Sequence, residues 1–546
     1  MVRDLRRLAD TRFDVLVIGA GVYGAAIAWD AVDRGLSVAL VDRGDFGGGT
    51  SFNSLKTLHG GLRSLQALNL EQMRRFIRER RALARIVPHL VRPLPFLIPT
   101  TRHVKRSRLA MLMALAVNDV VAYDRNEGIP DPALHLPAGH LVFRPEALRI
   151  NPFVAPDGVT GGAVWYDYQM TNADRVTFSF TRSAAAAGAT VANYVAAESF
   201  LVENGRVVGA RLTDARSDAA FDVRARVVVN AAGAWAPELA NTLSGGASSV
   251  PAPRLSRAMN VVLQSPAPTH ACGGVVDGRF LFLVPWRGLT MLGTSHDVHE
   301  GPADALGCSA ADLDRFLEEG RTAFPRASLA RSDVRLVHRG LLPMVSGHGG
   351  HVKLLRESAV VDHAAHGASG LISIHGVRYT TARHTAQQAV DAAFRSMGHG
   401  TPPRCRTEHT PLFGGGMQSV SGLLNELTAH RGPTDVPPTM ISRLVTTYGT
   451  EYGRVLQLAR ETAALGAPLG RTCAVTAAEV VYAARHEMAL TLADALIRRT
   501  EAGSAGHPGA DAVEAAATLL AAEHGWDEGR TRAEIASVNN FYTLAE

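Results

Sequence analysis

The chain has 546 residues, enough for two or three domains with a large buried core. Hydrophobic residues make up 46% and charged residues 20% of it, which is typical of a globular protein. A formal net charge of +5 on so long a chain does not indicate nucleic-acid binding. It is compatible with an anionic substrate or an anionic membrane surface.

The sequence contains no evident targeting segment or metal-binding motif. Residues 1–11 are basic and lack an apolar stretch, so no signal peptide is expected. The longest apolar run, residues 109–117, is too short to cross a bilayer, which takes about 20 residues. The four cysteines are scattered without a CxxC pair, which predicts neither a zinc site nor a disulfide framework. We expect a cytoplasmic protein without a bound metal, and peripheral contact with the inner face of the membrane stays open.

Apolar runs predict the first elements of an α/β domain. Residues 14–18 form a continuous apolar run that ends in glycines, which is typical of a buried parallel strand. Residues 24–34 follow as a predicted helix, and residues 37–41 as a second buried strand. Residues 68–85 predict another helix, whose six arginines we interpret as a solvated face: Arg74, Arg75, Arg78, Arg80, Arg81 and Arg85.

The remainder of the chain predicts a sheet-rich part and then a helical part. Strands are predicted at residues 207–212, 226–229, 280–284, 289–292, 352–355 and 371–374. Pro and Gly are frequent at residues 401–416 and 432–438, and Ala-rich segments with helical periodicity follow at 476–499 and 510–524. We therefore predict an α/β domain interleaved with a β-rich domain over residues 1–400, and a C-terminal helical domain over residues 405–546.

The motif Gly19-Ala20-Gly21-Val22-Tyr23-Gly24 lies between the first predicted strand and helix. Gly19 permits a tight turn, Gly21 lets the backbone approach a pyrophosphate, and Gly24 lets helix and strand pack closely. Asp42 ends the second strand, where an acidic residue binds a ribose hydroxyl. In this context the spacing predicts a dinucleotide site; the alternative is a tight structural turn in an unrelated sheet.

Later segments favour FAD over NAD as the dinucleotide. Residues 227–235 predict a buried strand that ends in small residues, so a second stretch of backbone can approach the same cofactor. Residues 374–381 again run from a strand into a helix. The N-terminus of that helix can stabilise negative charge on a reduced flavin. No second dinucleotide fingerprint is present, which argues against an NAD-dependent dehydrogenase.

These segments together resemble the FAD-dependent glycerol-3-phosphate dehydrogenases, within the wider group of D-amino-acid-oxidase-like flavoproteins. The resemblance extends over nearly the whole chain, and its most specific part is Thr50-Ser51 followed by the segment Lys56-Thr57-Leu58-His59-Gly60-Gly61-Leu62-Arg63. It implies a Rossmann-like FAD-binding domain beside a mixed-sheet substrate domain, with a C-terminal helical domain. It also implies an enzyme of glycerol metabolism that binds FAD non-covalently and transfers a hydride from a carbinol carbon to flavin N5.

The resemblance also implies which residues contact FAD and substrate. The cofactor contacts are expected at Gly19, Gly21, Gly24, Asp42, Thr50, Ser51, Lys56, Gly233, Trp235, Gly376 and Thr380. The catalytic candidates are His59, Arg63, His375 and Arg378, and the substrate-binding candidates are Arg63, Ser64, Asn260, Leu342 and Arg356. His59, His338 and His375 can each act as a base near neutral pH, while a purely structural or cofactor-binding role stays open for each.

The expected substrate side departs from the family at four positions. Ser64 stands where the family has tyrosine, Asn260 where it has histidine, Leu342 where it has arginine and Arg378 where it has lysine. Leucine cannot pair with a phosphate, and arginine cannot replace a lysine that moves a proton. The changes point to a different substrate or binding mode.

Three functions stay open at this point. The first is dehydrogenation of glycerol 3-phosphate or a close polyol phosphate, and the second is oxidation of another alcohol or an amine on the same fold. The third is a flavin-binding protein without turnover. The expected partners are a small anionic or polyol substrate and quinone or oxygen as the electron acceptor, and no nucleic acid. A homodimer and membrane contact stay open.

Overall fold

A computed structural model describes residues 1–62, 69–243, 253–345, 352–429 and 436–543. Its strands are β1 Arg12–Ile18, β2 Val38–Val41, β3 Thr57–Leu58, β4 Val91–Thr101, β5 His140–Phe143, β6 Val159–Met170, β7 Thr190–Ala192, β8 Val195–Glu203, β9 Arg206–Asp214, β10 Ala220–Asn230, β11 Arg254–Leu263, β12 Ala271–Val276, β13 Arg279–Trp286, β14 Leu289–His299, β15 Val334–Val345, β16 Lys353–Leu354, β17 Ala359–Asp362, β18 Leu371–His375, β19 Pro468–Gly470 and β20 Cys473–Thr476.

The α-helices are α1 Leu5–Asp10, α2 Val22–Asp33, α3 Leu70–Ile86, α4 Arg108–Val121, α5 Arg144–Ile150, α6 Ala173–Ala186, α7 Ala236–Ala240, α8 Ala310–Ala323, α9 Ala382–Ser396, α10 Val420–Ala429, α11 Pro438–Tyr448, α12 Tyr452–Glu461, α13 Ala463–Gly466, α14 Ala477–His486, α15 Ala510–His524 and α16 Glu528–Phe541. A π-helical turn covers Asp494–Arg499.

Within the described ranges, one sheet of eight strands forms the first α/β unit. Its strand order is β17-β18-β10-β1-β2-β7, and β9 and β8 continue from β10. The inner strands are parallel: β1 pairs with both β2 and β10, and β10 pairs with β18. All four residues of β2 are buried, as expected for a parallel strand with both faces covered. Helices α2, α6 and α9 pack together beside this sheet.

A second sheet, of ten strands in the described part of the chain, runs in the order β16-β15-β11-β14-β13-β12-β4-β6-β3, and β5 pairs with β6. Most of its pairs are antiparallel, and the β4–β12 pair is parallel. Its strands come from two separate parts of the chain, β3–β6 and β11–β16, which lie between the segments that form the first sheet. The predicted fold class, an α/β domain with a mixed-sheet domain and a helical C-terminal part, is confirmed.

The last part of the chain is mainly helical, with the short hairpin β19–β20. One hydrophobic cluster joins it to the second sheet, because Trp286 and Leu336 share a core with Val480, Leu496 and Leu520. A buried ion-pair network adds a second link. Arg499 and Asp45 are both fully buried, and their side chains make two bonds of 2.6 and 2.7 Å.

Most predicted elements agree with the structure, and α3 gives an instructive difference. The helix was expected to present its arginines to solvent, but Arg80 is buried and pairs with Asp167 of β6. Arg74 and Arg81 both pair with Asp124.

The helical stretch predicted at residues 476–499 is interrupted, because α14 ends at His486 and the π-helical turn starts at Asp494. No helix in the described ranges is both long and apolar enough to span a membrane.

Candidate active site

The glycine-rich turn connects β1 to α2 and is shaped by two close backbone contacts. Gly19 has φ of +95°, which favours glycine, and a Cβ there would lie 2.6 Å from the Ala231 carbonyl oxygen. A Cβ at Gly24 would lie only 1.8 Å from the Gly19 carbonyl oxygen. Both positions therefore need glycine for packing, before any ligand is considered.

The N-terminus of α2 is suited to a phosphate group. Gly21 is the N-cap residue and has no side chain to cap the helix, and no acidic residue lies in the first turn. Ser51 Oγ accepts a hydrogen bond of 2.9 Å from the Val22 amide, and a Cβ at Gly21 would lie 3.2 Å from that hydroxyl. The helix therefore directs amides and partial positive charge toward a cradle that a side chain at Gly21 would begin to fill.

Asp42 lies at the end of β2, next to this turn. Its carboxylate accepts hydrogen bonds from the amides of Ala20, at 2.6 Å, and Gly44, at 2.9 Å. Burial raises the pKa of Asp42 to about 6, against the opposing effect of these two amides. A carboxylate has about four acceptor sites, so a ribose hydroxyl can be a further partner.

The remaining predicted cofactor residues fall into different surroundings. Thr50 Oγ1 donates to the Leu341 carbonyl at 3.0 Å and accepts from the Leu341 amide at 3.1 Å. These bonds connect residues 42–56 between β2 and β3, here called the cofactor loop, to β15. Lys56 is fully buried, and its ammonium bonds the Phe52 carbonyl and lies 5.4 Å from the centre of the Trp286 ring. Burial lowers the pKa of Lys56 to about 8.

Gly233 and Trp235 follow β10 on the other side of the glycine turn. Gly233 has φ of +62°, and a Cβ there would have open space around it. Trp235 Nε1 donates a 2.8 Å hydrogen bond to Asp304, and the Arg43 guanidinium lies 4.2 Å from the centre of its indole ring. Arg43 also pairs with Asp304, so these three side chains join the two sheets at the surface.

The turn after β18 is held by Tyr23 of α2. A Cβ at Gly376 would lie 2.2 Å from the Tyr23 ring, so glycine is needed there for close packing. The Tyr23 hydroxyl accepts hydrogen bonds from the amides of Val377, at 3.1 Å, and Arg378, at 2.9 Å. His375 is half-buried at the end of β18, and burial lowers its pKa.

His59 and Thr380 are brought together although 321 residues separate them. The His59 amide donates to Thr380 Oγ1 at 3.1 Å. The His59 ring is half exposed, and its Nδ1 lies 3.4 Å from an Asp167 carboxylate oxygen. Sequence reasoning missed Asp167, whose only signal is an acidic residue inside the aromatic strand segment Trp165–Tyr168.

Asp167 is a buried carboxylate with several donors. Its other oxygen accepts from the Gly60 amide at 2.7 Å and pairs with Arg80. Burial alone would raise its pKa, but the hydrogen bond from His59 and the charge of Arg80 hold the pKa of Asp167 below its ordinary value. The carboxylate is therefore ionised at neutral pH and can orient the imidazole of His59.

The candidate substrate residues lie in two groups. Asn260 on β11 is buried, donating to the Asn53 carbonyl at 3.0 Å and accepting from Thr294 Oγ1 at 2.7 Å. Leu342 is half-buried on β15, four residues beyond His338, the strand partner of Asn260. His338 is fully buried, and neither ring nitrogen has a partner in the described part of the chain.

Arg356 and Arg378 form the second group, because both line one small cavity beside α3. The Arg378 guanidinium lies 5.7 Å from the centre of the Phe76 ring, while Arg356 is exposed. Arg63 and Ser64 lie outside the described residues. The structure therefore joins His59 with Thr380 and Arg356 with Arg378.

Two family profiles match the chain. That of the FAD dependent oxidoreductases covers residues 14–387, and that of the C-terminal domain of alpha-glycerophosphate oxidase covers residues 405–531. The glycine turn and the uncapped α2 N-terminus fit the dinucleotide that the first profile implies.

Relatives of known name match over almost the whole chain. A glycerol-3-phosphate dehydrogenase of Mycobacterium leprae is 33% identical over 98% of this chain and 88% of its own length. One of Synechocystis is 28% identical over 91% of this chain and 90% of its own. The crystal structure of the Bacillus halodurans glycerol-3-phosphate dehydrogenase complexed with FAD has a TM-score of 0.76, with 25% identity over 99% of this chain and 96% of that one. The chain thus belongs to the FAD-dependent oxidoreductase family, as a glycerol-3-phosphate dehydrogenase-like flavoprotein enzyme.

Proposed function

We propose that this enzyme oxidises glycerol 3-phosphate, or a closely related polyol phosphate, at a carbinol carbon. The observation that carries the proposal is the His59–Asp167 pair beside Thr380, on the turn expected to face the flavin. The names of the full-length relatives support the same substrate. When bound, FAD supplies the acceptor for the hydride at its N5 atom.

In this proposal His59 is the general base. Its Nδ1 faces Asp167, which leaves Nε2 to accept the proton of the substrate hydroxyl. The ionised Asp167 then holds the ring in one orientation and stabilises the imidazolium that forms. Gly60 and Arg80 keep that carboxylate in place from its other side. Asp167 acts through His59 and is therefore a positioning residue.

In this proposal, arginines bind the anionic group of the substrate. Arg356 and Arg378 line one cavity, and Arg63 is their proposed partner by resemblance. Arg378 supplies fixed positive charge and does not transfer a proton, because a guanidinium group stays protonated in proteins. The FAD contacts are proposed at Gly21, Ser51 and Asp42 for the dinucleotide, with the remaining candidates around them.

Anaerobic bleaching of the flavin is the decisive experiment. Adding glycerol 3-phosphate to the purified yellow enzyme without oxygen should bleach its visible absorbance. Asp167→Asn should slow bleaching about 100-fold or more and change its pH profile, while Asp167→Glu restores part of the rate. Asp222→Asn, in an exposed ion pair with Arg211, is the matched control and should bleach normally. A yellow enzyme that glycerol 3-phosphate leaves oxidised contradicts this substrate.

The second candidate is oxidation of another alcohol, or of an amine, on the same fold. Leu342 favours it, because a half-buried leucine on β15 cannot pair with a phosphate. Under this candidate, Leu342→Arg combined with Arg378→Lys should increase the rate of bleaching by glycerol 3-phosphate. No gain in the double variant would mean that these two positions do not determine the substrate.

We also propose peripheral membrane contact through α4, which would suit a quinone acceptor; oxygen is the alternative acceptor. The segment before α4 is basic, with Lys105 and Arg106. Exposed apolar side chains lie in α4 and on either side of it: Val104, Leu109, Leu112, Met113, Val117, Val120 and Tyr123. Basic residues beside an exposed apolar helix face suit an anionic lipid surface.

Vesicle binding tests this surface. The enzyme should sediment with vesicles that contain phosphatidylglycerol, and Leu109→Ser combined with Val120→Ser should abolish sedimentation. Val2→Ser, at an equally exposed valine elsewhere, is the control. A different result would contradict membrane contact: the unchanged enzyme is a dimer that does not bind vesicles, and the double variant loses the dimer. The surface would then contact a second copy of the chain.

A further inference from the structure

A second cleft lies between α3, α9 and the segment 401–408. Its volume is about 800 Å³, within the range of small-molecule sites. It contains none of the residues assigned above to FAD or to the substrate. The segment that closes it leads from the last helix of the first α/β unit into the C-terminal part.

The lining is unusually rich in arginine, and half of these arginines are already paired. The Arg383 guanidinium bonds Glu79 in the interior, Arg75 pairs with Glu357 at 2.7 Å, and Arg74 pairs with Asp124. In these pairs, carboxylates neutralise the positive charges of Arg383, Arg75 and Arg74.

The other three arginines have no such partner. Arg78 of α3, Arg395 near the end of α9 and Arg404 of the connecting segment are exposed. None of the three side chains makes a hydrogen bond or ion pair with any residue in the described ranges. The acidic residues that line the cleft have other partners, since Glu71 lies 3.1 Å from Arg75, Asp391 pairs with Arg34 at 2.5 Å and Glu408 lies 3.1 Å from His409 Nε2.

The wall that carries Arg404 is held in place by contacts with α2. Arg34 Nη1 donates to the Pro403 carbonyl at 3.1 Å, and Cys405 Sγ lies 3.0 Å from an Asp30 carboxylate oxygen. Two consecutive prolines, Pro402 and Pro403, further restrict its backbone. The cleft is therefore formed before a ligand binds, which reduces the entropy lost on binding.

We propose that this cleft binds a small molecule with two or more phosphate groups. Guanidinium groups form charge-assisted, bidentate hydrogen bonds with phosphate oxygens. Three uncompensated guanidiniums from three elements, around a volume this large, suit several phosphates better than one. His384 and Arg75 line both this cleft and the small cavity with Arg356 and Arg378, so a bound ligand lies close to the proposed substrate residues.

Calorimetric titration of the FAD-saturated enzyme tests the proposal, because occupied FAD sites cannot bind the probe. The probes are inorganic pyrophosphate, triphosphate and ATP, with inorganic phosphate as the single-phosphate comparison. We expect binding by at least one multiply phosphorylated probe, weaker binding of phosphate, and an affinity that falls with added salt.

Substitutions then assign the binding to the cleft. Arg78→Gln, Arg395→Gln and Arg404→Gln should each weaken the affinity about tenfold, and the triple variant about 100-fold or more. Arg6→Gln, at an exposed arginine on α1, is the matched control and should bind like the unchanged enzyme. The triple variant should keep its flavin absorbance, which shows that it folds. Absence of binding for every probe up to about 1 mM, or unchanged affinity in a folded triple variant, overturns the proposal.

Discussion

Alanine substitutions at Gly21 and Gly24 should separate two roles of glycine in the dinucleotide turn. A Cβ at Gly24 would lie 1.8 Å from the Gly19 carbonyl oxygen, a backbone atom that cannot rotate away. The start of α2 would have to move by more than about 1 Å, and overpacking of this kind costs about 1–3 kcal/mol. A Cβ at Gly21 would meet only Ser51 Oγ, at 3.2 Å, and a hydroxyl can change rotamer.

We therefore expect Gly24→Ala to lower the free energy of unfolding of the FAD-free protein by about 3 kcal/mol. Gly21→Ala should change it by less than about 0.5 kcal/mol. It should nevertheless weaken FAD binding about 100-fold, because its methyl group would lie where the backbone approaches the pyrophosphate. Gly453→Ala is the matched control: nothing lies within 4 Å of its Cβ in α12, and both stability and FAD affinity should be kept.

Urea unfolding of the FAD-free variants, followed by circular dichroism, measures the first effect. Titration with FAD, followed by quenching of flavin fluorescence, measures the second. The reasoning is refuted if Gly21→Ala binds FAD as tightly as the unchanged protein. It is also refuted if Gly21→Ala and Gly24→Ala lose equal stability, because the contact at Gly24 would then have no special cost.

Three further predictions concern buried charge. Arg499→Met should lower the free energy of unfolding by about 3 kcal/mol, because Asp45 stays buried with one arginine fewer. Urea unfolding measures this loss. Arg532→Met, in an exposed ion pair, is the control and should leave the free energy of unfolding unchanged. Burial opposes ionisation of Asp45, but the neighbouring arginines lower its pKa. The ionised carboxylate therefore contributes to the free energy of unfolding above about pH 3.9, and this contribution is lost as the pH falls. Asp45→Asn should flatten the acid side of the plot of unfolding free energy against pH. Burial also holds the pKa of His338 well below 6.5, so stability should fall from pH 7 to 5 as the unfolded imidazole takes up a proton, and His338→Phe should remove that slope.

The sequence predicted the parts of the site that depend on residues close together in the chain. Gly19, Gly21 and Gly24 follow a buried strand at fixed spacing, and the structure has the predicted strand and helix on either side. Asp167 could not be found in this way, since its partner His59 lies 108 residues away and the pairing depends on the register of β3 with β6. An acidic residue in a strand gives no signal of a distant histidine.

The interpretation of α3 was wrong for a related reason. Helical periodicity shows which side chains share a face, but it does not show what covers that face. Arg80 is buried because β6 brings Asp167 against the helix, and Arg74 is half-buried because Asp124 follows α4. A charged face can thus be buried when carboxylates from distant segments neutralise it. Arg78, for which the described residues provide no such partner, stays exposed and lines the proposed anion cleft.

The contacts between the cofactor loop and the second sheet explain how side chains on that sheet can change while FAD binding is kept. Thr50 bonds the backbone of Leu341, and the Asn53 side chain accepts from the Arg339 amide, so most of this link uses β15 backbone. Asn260 is the exception, because its side chain donates to the Asn53 carbonyl. Asn260→Leu should therefore cost about 1–3 kcal/mol of stability and loosen FAD retention during gel filtration. Leu342→Asn, on the same sheet, should keep both. Equal retention in the two variants would show that the cofactor loop does not depend on Asn260.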